Sequence, residues 1–326
     1  MGETIIVKLT HEINEDVWQK IVDGFNESFR LNVTEEGLKN GWYVSNPWGY
    51  AYHALAFDQD NELMAYNVFT PMQYERGIKV VVSGSTFVRP KYRKKVMLFA
   101  QLIKALRQRC TEDGFDIEVG VPNHNSINYH CKVNKVNFVK DLSYYVLPVS
   151  LSKTMDKRLP GLVDSLWRMF LGPHILVNKA LSIVFNGKEH NRKYSVKTDE
   201  VFYDTRFKSK DYVLVSEGEY RLVYRMYDEE GKRVAYLMDC RANGVKSYKA
   251  LVFASRFIVK NTNADAILYV GLMHFMQGLM MKLPKKMIPK RLPLTCYILN
   301  KKRITEFDNI TNPDNWNFSL MSFDVR

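Results

Sequence analysis

Two short runs carry the residues best suited to chemistry. The first is Val88-Arg89-Pro90-Lys91-Tyr92-Arg93-Lys94-Lys95-Val96-Met97-Leu98, and the second is Val121-Pro122-Asn123-His124-Asn125-Ser126. The first follows an apolar stretch, Ile78 to Val88, that predicts a strand, and it opens a helical pattern predicted over Arg93 to Cys110. A strand that enters a helix through a cationic loop is suited to holding phosphate. The first N–H groups of the helix lack partners, and the positive end of its dipole faces the anion. Arg93, Lys94 and Lys95 at such a start each oppose the dipole by about 0.3–1 kcal/mol, a cost that an arriving anion offsets. A solvated helix start is the plainer reading of the same cations. His124, in the turn after the second strand, carries an imidazole that could serve as a general base; a surface histidine is its plainer reading.

The elements that must position these runs follow from periodicity. Val17, Trp18, Ile21, Val22, Phe25 and Phe29 recur at helical spacing, with Asn14 as the cap. Thr34 starts a second short helix. Tyr50 to Phe57 and Leu63 to Thr70 read as strands joined by the turn Asp58 to Asn61. In the long helix, Phe99, Leu102, Ile103 and Leu106 form one apolar stripe. Phe115 to Val121 reads as a buried strand and Ser126 to Val133 as a helix. Phe138 to Val149 is one long strand or a pair.

Residues 151 to 190 predict a helical hairpin interrupted at Gly172-Pro173. Core packing between the halves is its ordinary role, and contact with a membrane surface or a partner is the alternative. From Tyr194 the strands return, with a turn at Asp228 to Lys232, a helix over Lys249 to Asn261 and a strand over Ala266 to Val270.

Composition narrows the partners. A chain of 326 residues is comfortable for two domains, and its formal charge of +12 favours anionic partners. The four cysteines, Cys110, Cys131, Cys240 and Cys296, form no C-x-x-C and stand with no histidine cluster. They read as reduced thiols, and no metal site is expected. No apolar run approaches the ~20 residues needed to span a bilayer. The N-terminus lacks the basic-then-apolar layout of a signal peptide, so a cytoplasmic protein is expected. The basic run Lys282 to Arg291 is broken by Pro284 and Pro289 and reads as a loop, and no nucleic-acid-binding module is recognisable.

The first run resembles the acyl-CoA signature of the GCN5-related (GNAT) N-acyltransferase superfamily, V-x-P-x-x-R-G-x-G. The chain keeps Val88, Pro90, Tyr92 and Arg93, with Asn125 after the next strand, and departs at both glycines, which are Lys94 and Val96. The layout, with Asn46-Pro47-Trp48-Gly49 and the close at Asn315 to Val325, looks like that of two-domain members found in bacterial surface-polysaccharide contexts. The resemblance implies an α/β protein with a mixed sheet and tandem GNAT-like folds. It implies a CoA-binding domain over 1–150, a helical connector over 151–193 and a second, diverged GNAT-like domain over 194–326.

It further implies acyl-CoA as co-substrate. Phe87 and Val88 at the strand end, the loop from Arg93 through Lys94, Lys95, Val96 and Met97 to Leu98, and Asn125 would hold it. Tyr129 is the nearest phenol to the family's general acid, and Glu118 is a substitute for the family's strand glutamate, whose place is taken by Ser83-Gly84-Ser85. The implied reaction is direct transfer of an acyl group, most simply acetyl, to an amine, with an amino sugar as a reasonable acceptor. The departures at Lys94 and Val96 favour an alternative, a GNAT-like binding or scaffold protein without CoA. A tRNA-dependent aminoacyl transferase, which the positive charge would suit, is a third reading.

Overall fold

The computed structural model describes residues 4–124, 126–154, 161–185, 187–189, 192–209 and 211–323. In chain order, β1 (Thr4–Leu9), α1 (Glu15–Phe29) and α2 (Glu35–Leu38) precede β2 (Tyr52–Phe57), β3 (Leu63–Gln73) and β4 (Lys79–Val88). Then come α3 (Leu98–Glu112), β5 (Ile117–Gly120), α4 (Ile127–Lys132), β6 (Asn137–Asp141), β7 (Ser143–Pro148), α5 (Leu151–Thr154) and α6 (Gly161–Phe185). β8 (Tyr194–Ser195), α7 (Glu200–Arg206), β9 (Tyr212–Glu217), β10 (Tyr220–Glu229), β11 (Lys232–Ala242) and α8 (Tyr248–Asn261) follow. The chain closes with β12 (Ala266–Gly271), β13 (Met281–Lys282), β14 (Pro293–Ile298) and β15 (Trp316–Asn317).

Local signals set the early elements. Asn14 caps α1, its side chain accepting from the Val17 N–H at 3.1 Å, and Thr34 caps α2, accepting from Gly37 at 3.1 Å. Each oxygen satisfies a donor that a helix start leaves free.

The chain forms two compact units. The first contains Met1–Asp141, Val196–Ser209 and Arg291–Pro313. Its seven-stranded sheet runs β1-β2-β3-β4-β5-β14-β6. β4 and β5 are parallel, joined through α3, and the other pairs are antiparallel. Both faces are buried. Trp18, Ile21 and Phe25 of α1 pack with Leu55, Tyr66 and Phe87, while Leu102, Ile103 and Leu106 of α3 pack with Ala54, Ala56 and Val81. Adjacent strand residues thus serve opposite layers, as the pleat requires.

The second unit contains Leu142–Ser195, Lys210–Lys290 and Asp314–Arg326. Its six-stranded sheet runs β13-β7-β12-β11-β10-β9. β11 and β12 are parallel and joined through α8, the same β-α-β step that β4, α3 and β5 make in the first unit.

Each unit gathers segments from separate parts of the chain. β7 lies in the second unit's sheet, and β14, from the C-terminal region, fills the place between β5 and β6. The stretch Phe138 to Val149 is two strands belonging to different sheets. The expected helical hairpin is instead one helix, α6, with Pro173 inside it. Proline costs the helix one backbone hydrogen bond and about 3 kcal/mol, but packing of its buried face, through Leu171 and Ile175, holds the helix continuous. α3 starts at Leu98 rather than at Arg93, because the residues between form tight turns.

Candidate functional site

β4 and β5 pair only from Val80↔Ile117 to Ser83↔Gly120. β5 then ends, while β4 continues through Gly84 to Val88 with β3 alone beside it. The parting coincides with a bulge. Val68 faces Gly84 and Tyr66 faces Phe87, so Ser85 and Thr86 oppose the single residue Asn67. Ser85 takes φ +47°, in the left-handed region. The Asn67 side-chain oxygen fixes the bulge, accepting from the Thr86 hydroxyl at 2.7 Å and from the Val68 N–H at 2.8 Å. An unzipped parallel pair leaves a row of backbone donors and acceptors on β4 that can receive an extended, amide-bearing ligand. In the sequence, the local sign of this bulge is an isolated glycine within a strand, Gly84.

The loop after β4 is built from short turns. The Arg89 N–H donates to the Met64 carbonyl at 3.0 Å, and the Tyr92 hydroxyl donates to the Asp58 carboxylate, fixing the loop to the β2–β3 turn. The N–H groups of Arg93, Lys95, Val96 and Leu98 are satisfied inside the loop. Those of Lys94, Met97 and Phe99 make no backbone hydrogen bond among the described residues. Met97, at the cap position of α3, offers no side-chain cap. The contrast with α8 is informative, because Ser247 caps that helix by accepting from Ala250 at 3.2 Å. The positive end of α3 is therefore left for an outside acceptor, and the exposed Lys91, Arg93, Lys94 and Lys95 stand around it. Arg89 is committed elsewhere, in ion pairs with Glu27 at 2.5 Å and Glu62 at 3.4 Å.

The expected residues divide into two groups. Phe87 and Val88 lie on the part of β4 beyond the parting, where the Val88 carbonyl accepts from Arg93 Nε at 3.3 Å, and their side chains are core. Phe87 packs with Phe25 and Tyr66, and Val88 packs in the α3 layer. Val96 and Met97 are 65% and 56% exposed, an apolar pair turned outward beside the helix start. Tyr129 reaches this loop. Its hydroxyl donates to the Val96 carbonyl at 2.7 Å, its ring lies 5.7 Å from that of Phe99, and burial raises its pKa.

His124 is exposed in the turn before α4, and Asn125 lies outside the described residues. Glu118 is apart from the open end. It is 3% exposed, and the Arg107 Nε donates to its carboxylate at 2.5 Å. Burial raises its pKa against the pull of that guanidinium. Arg107 also donates to the Asn134 carbonyl at 2.5 Å and stacks on Tyr297. Glu118 thus holds a structural ion pair.

On the α1 side of the bulge lies a buried polar chain that the sequence did not disclose. The Tyr43 hydroxyl lies beside Ser85 and Tyr66, and burial pushes its pKa up to about 12. Tyr66 meets His53 Nδ1 at 2.7 Å, and His53 Nε2 meets the Thr10 hydroxyl at 2.9 Å. Burial drives the His53 pKa down to about 3, so the ring is neutral and acts as a spacer between two hydroxyls.

No model of a known protein family matches the sequence, and no curated protein matches it. Solved structures do resemble the fold. A GCN5-related N-acetyltransferase from Anabaena variabilis matches at TM-score 0.56 and 10% identity, over 90% of this chain and 73% of that one. A protein of unknown function from Enterococcus faecalis, described as a probable N-acyltransferase, matches at TM-score 0.55 and 12% identity, over 91% and 73%. A GCN5-related glucosamine N-acetyltransferase region of a fungal multi-domain β-N-acetylglucosaminidase matches at TM-score 0.53 and 10% identity, over 91% and 38%. The fold is the mixed α/β fold of GNAT acetyltransferases, as the sequence implied.

Proposed function

We propose that the chain is an N-acyltransferase that moves an acyl group, most simply acetyl, from acyl-CoA to an amine. The observation that carries this reading is the parting of β4 from β5 at the Ser85 bulge, directly before an uncapped helix start ringed by cations. Amides of the acyl-CoA arm would pair with the free edge of β4, and its diphosphate would meet the N–H groups of Lys94, Met97 and Phe99 and the cations of Arg93 to Lys95. The amine then attacks the thioester carbonyl, the C–S bond breaks, and the thiolate leaves and takes up a proton. Tyr129 would supply that proton once its hydroxyl leaves Val96. An amine proton passes to water or to His124. No acyl-enzyme is required.

An amino sugar is the acceptor class favoured by the likeness to the glucosamine N-acetyltransferase region. The first unit would hold the acyl-CoA, and the second would be the diverged GNAT-like partner domain. Titration calorimetry of acetyl-CoA, desulfo-CoA and ATP into wild type and Arg93→Ala tests the reading. Micromolar binding of acetyl-CoA, weakened by the substitution, is expected. No heat and no thermal shift up to millimolar acetyl-CoA would overturn it.

A second reading has its own support. Val96 stands at a position where the family pattern has glycine, Tyr129 already occupies its carbonyl, and Glu118 is held away in an ion pair. A GNAT-like binding protein that takes no CoA would show these features, and the same titration separates the two.

A further inference from the structure

The faces of α6 are reversed relative to what folding alone would select. The side turned into the second unit carries Leu171 and Ile175, but also Asn178 and Ser182, all buried. Asn178 accepts from the Tyr248 hydroxyl and donates to the His174 carbonyl at 2.8 Å, and Ser182 donates to the Lys179 carbonyl at 2.7 Å. The opposite side is apolar and uncovered. Leu162, Leu166, Met169, Pro173, Leu176 and Val184 fall at helical spacing along one stripe, with Met169 72% and Val184 76% exposed. Isolated exposed leucines need no explanation, but a continuous stripe along a 25-residue helix does.

The charges around the stripe identify what covers it. Lys179 and Arg168, the latter paired with Asp164 at 3.2 Å, lie on one border between the two faces, and exposed Lys153, paired with Asp265 at 3.1 Å, precedes the helix. From Lys153 to Lys193 the sequence holds eight Lys and Arg against three Asp and Glu, a net charge of +5. Among the described residues, no helix is long and apolar enough to cross a membrane. A second copy of the chain fits poorly, because two such helices packed antiparallel through the stripe set Arg168 of one beside Lys179 of the other. An apolar stripe with cations along one border is complementary to an anionic bilayer surface, where the stripe enters the acyl boundary and the cations meet headgroup phosphates.

We infer that α6 is an interfacial helix that seats the protein on an anionic membrane surface. The test is sedimentation of the full chain with sucrose-loaded vesicles of phosphatidylglycerol and phosphatidylcholine, against phosphatidylcholine alone. Binding to the anionic vesicles about tenfold or more above the neutral ones is expected, with release as salt rises. Leu166→Glu combined with Leu176→Glu, both on the exposed stripe, should reduce binding about tenfold or more while leaving circular dichroism and melting unchanged. The lipid-charge and salt dependence of wild type tests the inference independently of that variant. Equal binding to both vesicles, no binding to either, or undiminished binding by a folded variant would overturn it. So would light scattering that shows a wild-type dimer and a monomeric variant.

Discussion

The phenol of Tyr129 donates to the backbone carbonyl of Val96 at 2.7 Å, tying α4 to the loop before α3 across 33 residues of chain. A phenol so placed is a latch on the loop, a proton donor, or both in turn. Tyr129→Phe separates these roles. If Tyr129 protonates the departing thiolate, turnover should fall about 10²-fold or more while acyl-CoA affinity holds. A purely structural latch would give the reverse pattern: weakened affinity, with turnover of bound substrate retained. Steady-state kinetics with calorimetry on the same variant decides.

Val96 is the residue most at odds with close approach of a diphosphate, since its branched Cβ stands at the loop where the family pattern has none. Its side chain is exposed, so Val96→Gly should change stability by only about 0.5 kcal/mol. The affinity for acetyl-CoA should rise. Unchanged affinity in a stable variant would show that the Cβ does not limit approach.

Glu118 and Arg107 form an ion pair with side chains 3% and 14% exposed. Arg107→Ala leaves a buried carboxylate without its partner and should cost about 3–5 kcal/mol in chemical denaturation. Glu118→Gln should retain turnover, because the carboxylate is not at the open end of β4. A loss of turnover in a folded Glu118→Gln protein would return Glu118 to the role of base.

Gly24, in the middle of α1, is there for Phe87. A Cβ at that position would lie 2.2 Å and 2.4 Å from two atoms of the Phe87 ring. The ring cannot swing clear, because Phe25 and Tyr66 hold it at centroid distances of 5.1 and 5.5 Å. Overpacking of about 1–3 kcal/mol outweighs the ~1 kcal/mol of helix propensity that alanine adds. Gly24→Ala should therefore melt lower than wild type, and a rise in melting temperature would refute this.

Acid should destabilise the protein well above the carboxylate range. Burial lowers the pKa of His53 to about 3, and burial with the nearby Arg107 lowers that of His130 to about 4. Both folded values lie below the unfolded value of about 6.5. The unfolded chain therefore takes up protons first as pH falls. Stability from these groups is complete above about pH 6.5 and declines as pH drops toward the folded values, by about 1.4 kcal/mol per pH unit for each ring. Urea titrations from about pH 7.5 to 5 should show this slope, and His130→Gln should reduce it by one proton. A flat profile over that range would contradict the neutral buried rings.

Much of the layout around the candidate site is local and was legible. The cap at Asn14, the Asp58 turn and the basic loop after β4 follow from residues close in sequence, and each has its own short-range physics. The start of α3 was misplaced by five residues because a helical apolar stripe says nothing about the turns that precede it. The bulge at Ser85 had only Gly84 as a signal, since its cause is the pairing of two strands in register with Asn67. The alternation of side chains along β4 assigns each residue a face and leaves its neighbours across the sheet open.

The mixed α/β class, the order of elements and the concentration of cations before α3 were fixed within the chain's own short range, because propensity, capping and side-chain charge act over a few residues. Which strands became neighbours was settled by long-range contacts. They put β14 between β5 and β6, gave Glu118 to Arg107, and turned the apolar stripe of α6 outward. Those outcomes join residues distant in the chain, which periodicity cannot specify. A period gives the face that a residue occupies, and the register of the whole sheet gives what that face meets.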